Sequence, residues 1–130
     1  MHITFLYAAL LALLFVALSV RTLRMRRRLR IAVGDKGNEA MLRAMRAHAN
    51  FAEYVPLSLL VFYFAEQSGA TPVLVHAFGI SSLAGRLLHA WGVSQVREDY
   101  RFRVAGMTLT FLPLIAASFR LLYAYVLALA

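Results

Sequence analysis

Four apolar runs, at residues 3–20, about 50–64, 72–91 and 104–130, take up most of this 130-residue chain. Runs of this length are suited to hydrocarbon, where every backbone N–H and C=O must be bonded within the protein, so only helices or closed barrels can cross. The chain shows no strand alternation, which leaves helices. A span needs about 20 residues, so there is room for four helices and short connections in one domain. Hydrophobic residues make up 62% of the sequence, against roughly 45–50% in soluble domains. The expected fold is all-α, a four-helix transmembrane bundle over residues 1–130, with helices at about 3–22, 39–66, 72–92 and 103–129.

Local signals place the connections. Gly34-Asp35-Lys36-Gly37 reads as a turn and Asn38 as the N-cap of the second helix, which must start before its short apolar run. Pro56 removes the helical donor for the Ala52 carbonyl, a loss that membrane helices tolerate when neighbours or water compensate. The stretch from Gln67 to Pro72 closes a tight hairpin. The absence of cysteine excludes disulfides, thiolate ligation and a cysteine nucleophile.

The charges follow the apolar runs. Arg21, Arg24, Arg26, Arg27, Arg28 and Arg30 come after the first run, and Arg97, Arg101 and Arg103 lie between the third and fourth. The opposite ends carry only Glu66 and uncharged termini. The positive-inside rule puts both arginine-rich loops in the cytoplasm and both termini outside. The first helix does not read as a cleaved signal peptide, because no basic residue precedes it. The net charge of +8 is accounted for by topology and anionic lipid, so nucleic acid is not an expected partner. Thirteen of the fourteen basic residues are arginine, which fits an anionic ligand bound bidentately and equally fits a high-GC genome.

Polar groups invade two of the helices. Arg46, Asn50 and Glu53 fall at i, i+4 and i+7 and share a face of the second helix. A carboxylate there is expensive unless paired, and these three can satisfy one another while leaving donors for a ligand. On the third helix Ser82, Arg86, His89 and Val93 form one face. Arg86 is well inside the span, either as part of a polar site or snorkelling to the headgroups. His89 is a candidate proton donor or a hydrogen-bonded structural group. No histidine pair has metal-ligand spacing, so no metal is expected. Ala77, Ser81 and Gly85 make a small-residue ridge for packing within or between subunits. Arg120 reads as an outer-side anchor.

The run Arg46-x-His48-x-Asn50-x-x-Glu53-Tyr54-x-Pro56 resembles the signature of the MAPEG superfamily, the membrane-associated proteins in eicosanoid and glutathione metabolism. The resemblance covers the whole chain and is greatest to the small bacterial inner-membrane branch. It implies a homotrimer of four-helix subunits with glutathione bound between neighbours near the cytoplasmic side. It also implies that Arg46, Asn50, Glu53 and Tyr54 contact glutathione, that His48 stands at a polar ligand-contacting position, and that Arg86 lies near the site. Arg26 or Arg30 is the implied first-loop arginine that reaches a carboxylate. Arg103, or Arg101 as the alternative, corresponds to the arginine that stabilises the thiolate. His89 and Val93 stand where the eicosanoid synthases have tyrosines, so eicosanoid synthesis is not expected.

The implied activity is attack by glutathione thiolate on a lipophilic electrophile, or reduction of a lipid hydroperoxide. Membrane lipids and a lipophilic small molecule are the further partners. A non-catalytic protein that binds a lipid or small amphiphile, with its polar stripe serving trimer assembly, is the alternative. A proton-coupled exporter is less favoured, because its one candidate carboxylate, Glu53, shares its helix face with an arginine and an asparagine.

Overall fold

The computed structural model of the chain describes residues 1–95, 97 and 99–129. Its helices are α1 (Ile3–Leu29), α2 (Glu39–Gln67), α3 (Pro72–Val93) and α4 (Tyr100–Leu129). Three of them, α1, α3 and α4, are long and apolar enough to cross a membrane. The 29-residue α2 is equally long, but Arg43, Arg46, Asn50 and Glu53 make its first half polar.

α2 and α3 begin and end within a residue of expectation. The Asn38 side chain caps α2, accepting from the Met41 N–H at 3.0 Å, and Thr71 caps α3. The preceding turn uses positive φ at Gly34, Lys36 and Gly37, where glycine carries no Cβ penalty. α1 runs to Leu29, well past the expected residue 22. Arginine is a good helix former, and the arginine cluster contains no breaker before Arg30, which turns left-handed at φ 54° and closes the helix. α4 starts at Tyr100, three residues earlier than expected. Asp99 nucleates it by accepting from the Arg101 N–H at 2.9 Å. The 27 residues of α1 extend about 40 Å, longer than a hydrocarbon core of about 30 Å, so its arginine-bearing turns have room beyond the lipid tails.

The bundle is rhombic in section. α2 and α3 each pack on all the other helices, whereas α1 and α4 lie at opposite corners without packing on each other. Leu11, Leu18, Phe51, Val55 and Val93 fill the space among α1, α2 and α3. A second cluster, Phe62, Ala65, Phe78 and Ala117, joins α2, α3 and α4. The outer faces of α1 and α4 carry exposed Leu, Phe, Val and Tyr, as a lipid-facing surface does.

Both arginine-rich connections are at one end. At the other, Glu66 accepts from the backbone N–H groups of Ile3 (2.6 Å) and Thr4 (3.0 Å) and from the Thr4 hydroxyl (2.7 Å). The last turn of α2 thereby satisfies the free donors at the start of α1. Arg120 donates to the Ser68 carbonyl at 2.9 Å and fastens α4 to the hairpin at that end.

The α3–α4 approach positions the functional residues. A Cβ at Gly106 would stand 2.6 Å from the His89 N and 2.7 Å from the Gly85 carbonyl oxygen. Gly85 faces the Gly106 carbonyl just as closely, and Ser81 donates to the Leu109 carbonyl at 2.8 Å. The small-residue ridge therefore serves packing inside the subunit at Ser81 and Gly85, while Ala77 is exposed. Because the opposing atoms are backbone, Gly106→Ala is expected to cost about 1–3 kcal/mol. Unfolding in detergent should show this as a lowered midpoint, with Ala77→Leu leaving the midpoint essentially unmoved.

Candidate functional site

The polar stripe of α2 divides in the folded protein. Arg46 Nη1 stands 3.9 Å from Glu53 Oε1, and both side chains are about half exposed, so this is a loose surface pair of small energetic weight. Asn50 turns the other way. Its Oδ1 accepts from Arg86 Nη1 at 2.7 Å.

Arg86 is 1% exposed and does not snorkel. Its Nε donates to Thr110 Oγ1 at 2.9 Å, and Nη2 reaches the Gly106 carbonyl and the Met107 sulfur, each at 3.4 Å. The guanidinium carbon lies 5.7 Å from the centre of the Tyr54 ring, within cation–π range. Tyr54 packs edge-on against Phe111. A guanidinium has five donors in a fixed fork and no acceptor. Here neutral acceptors from α2 and α4 satisfy them, and no carboxylate is among its described partners.

Beside Asn50 a cleft of about 220 Å³ opens among α2, α3 and α4, lined by Glu39, Leu42, Arg43, Arg46, Asn50, His89, Val93 and Arg103. Of the residues singled out from the sequence, Arg46, Asn50, His89 and Arg103 converge there. Arg86 stands behind Asn50, Tyr54 flanks Arg86, and Glu53 faces Arg46. Both Arg101 and Arg103 lie in the exposed first turn of α4, and of the two Arg103 lines the cleft.

Three expected residues lie elsewhere in the subunit. His48 Nε2 is 2.9 Å from Ser19 Oγ, and its ring stacks on Phe15. Two residues from both Arg46 and Asn50, it takes the opposite face of the helix. Arg26 donates to the carbonyls of Ala32 (3.3 Å) and Gly34 (3.0 Å), pinning the turn after α1. Together with His48 it lines a separate cavity of about 460 Å³ between α1 and α2, with Arg46 on the shared wall. Arg30 is exposed at the end of α1.

Sequence reading missed two residues. Arg43 grips Glu39 through Nε (3.0 Å) and Nη2 (2.8 Å) and donates to the Val93 carbonyl at 3.3 Å, joining α2 to the end of α3. The signal was present, since 39, 43, 46 and 50 continue one helical stripe. Thr110 had no such signal, because only the packing of α4 brings it to Arg86. Replacing it with the near-isosteric valine strands the Arg86 Nε in a dry interior. Thr110→Val is expected to cost about 1–3 kcal/mol, read as a lower unfolding midpoint beside the exposed control Thr108→Val.

The described lining of the cleft carries more cationic than anionic side chains. Among the described lining residues Arg43, Arg46 and Arg103 are cationic and Glu39, held by Arg43, is anionic, while Glu53 stands 3.9 Å from Arg46 just outside the lining. The MAPEG family model matches residues 4–123. The inner membrane protein YecN of Escherichia coli strain K12 is 39% identical over 110 residues, covering 85% of this chain and 82% of that protein. YecN of Escherichia coli O6:H1 matches to the same extent. With a family match across nearly the whole chain, inner-membrane relatives and three membrane-crossing helices, this chain belongs to the MAPEG family and is a multi-pass protein of the bacterial inner membrane.

Proposed function

We propose that the protein is a thiol-dependent transferase or peroxidase that uses glutathione against lipophilic electrophiles or lipid hydroperoxides. The observation that carries this reading is the convergence of Arg43, Arg46 and Arg103 with Asn50 in one cleft at the arginine-rich end of a membrane bundle. Glutathione has two carboxylates, an amine and a thiol. Guanidinium forks suit the carboxylates, and Glu53 beside Arg46 suits the amine.

Arg103 is the candidate for thiolate stabilisation. A free thiol has a pKa of about 8.5, and a permanently charged guanidinium stabilises the sulfur anion without competing for its proton. In transfer, the sulfur lone pair forms a bond to the electrophilic carbon. The proton released by the thiol ends on the displaced group or the adduct. In peroxide reduction two thiols become a disulfide as the O–O bond breaks to give an alcohol and water. Arg103 also lines a second cavity of about 370 Å³ with Tyr100, Val104, Met107, Thr108 and Phe111. Its apolar wall on the exposed side of α4 gives a lipid-soluble substrate a route to the sulfur.

The reading includes a homotrimer with its arginine-rich end in the cytoplasm. A cleft of about 220 Å³ falls short of small-molecule sites of roughly 300–1,000 Å³. In this reading His48 of α2 and Arg26 of α1, which line one cavity on the other face of α2, contribute to a neighbour's cleft. One observation favours the alternative, a non-catalytic amphiphile binder: Arg86 spends its donors on holding three helices together.

Calorimetry with glutathione on detergent-purified protein separates the two readings. Arg46→Ala is expected to weaken binding at least tenfold, about 1.4 kcal/mol, and no binding by the folded wild type favours the alternative. With an electrophile such as a chloronitrobenzene, Arg103→Ala should lose at least tenfold in rate near pH 7. Arg103 lowers the thiol pKa, so the deficit should shrink as the pH passes about 8.5; an equal deficit at every pH removes Arg103 from that role. Shared sites predict that Asn50→Ala and His48→Ala chains, each inactive alone, recover activity when co-expressed.

A further inference from the structure

We infer that Arg86 fixes the polarity of Asn50, so that the cleft presents a hydrogen-bond donor there and the ligand group seated against it must be an acceptor. This assignment rests on the reading of the cleft as an anion-binding site and specifies what one wall of it recognises. A primary amide has two chemically opposite edges, and in most surroundings either can face a ligand. Here the choice is removed. Arg86 has only donors and is buried with Nη1 2.7 Å from the amide, so only the Oδ1 edge can turn toward it.

The other edge, Nδ2, has no acceptor among the described residues. Asn50 is half-buried in the wall of the cleft that it shares with Arg43, Arg46 and Arg103, so its free donors meet the same space as the guanidinium groups. Rotation of the amide would oppose two sets of donors, and desolvation makes that arrangement expensive. The backbone reinforces the register, since the same Arg86 Nη1 also approaches the Asn50 carbonyl at 3.5 Å. Arg86 is thus a positioning residue for Asn50 and acts on the ligand through it. A carboxylate or peptide carbonyl fits beside Asn50, and an ammonium group does not.

Asn50→Asp isolates this effect from folding. Aspartate keeps an oxygen for Arg86 and supplies the carboxylate that this arginine lacks among its described partners, so the variant is expected to melt at or above the wild type. Its second oxygen replaces the donor edge in the cleft. Glutathione binding, measured by calorimetry, should fall at least tenfold, and the rise in melting temperature produced by inorganic sulfate should be lost. Asn50→Ala should lose both stability and binding.

Wild-type-like binding of glutathione or sulfate by a folded Asn50→Asp protein overturns the assignment while leaving the anion site in place. If the wild type binds sulfate but not glutathione, the thiol reading fails and the sulfate comparison still decides the polarity of Asn50. A wild type that binds neither overturns both.

Discussion

A guanidinium roughly two turns inside a membrane helix must be supplied with acceptors, because hydrocarbon offers none and an unpaired charge there is very costly. Arg86 obtains them from two other helices: Asn50 on α2, and Thr110 with the Gly106 carbonyl on α4. The rest of the bundle is arranged so that these acceptors can arrive. Gly85 and Gly106 let the backbones of α3 and α4 touch, which brings the Gly106 carbonyl within reach. Asn50 is drawn inward and away from the loose Arg46–Glu53 pair. The network joins α2, α3 and α4 around one charge, while α1 is held separately by apolar packing and by the Glu66 cap at the far end.

This arrangement leaves the polar cleft at the edge of the buried network. Arg86 has no direct place in the cleft, yet its demand for oxygen turns one amide edge toward it. Arg43, likewise bound to Glu39 and the end of α3, stiffens the same wall. Donors held in place by such contacts need not be ordered before a ligand is met. The chain can keep such a site beside lipid because the apolar faces of α1 and α4 take the contact with the bilayer.

Much of the fold was legible in the linear pattern. The apolar runs, the Asn38 cap, the glycine turn and the Thr71-Pro72 helix start each have a local cause, and local causes survive packing. The ends of α1 and α4 were less legible, since arginines at a membrane edge look like loop although they favour helix. The site was legible as a stripe, but its internal pairings were not. Arg46, Asn50 and Glu53 share a face, and that spacing cannot reveal that Asn50 finds a stronger partner on another helix.

The sequence by itself determined that the chain is helical, where its helices lie, and that one end is arginine-rich, because hydrocarbon requires internal backbone bonding and helical period sorts residues onto faces. Tertiary structure decided which polar groups meet. It placed Thr110 and Gly106 against Arg86, gathered Arg46, Asn50, His89 and Arg103 into one cleft, and sent His48 and Arg26 to another. Those outcomes depend on the rotation and separation of whole helices, which a few close backbone contacts set and which no residue's neighbours in the chain encode.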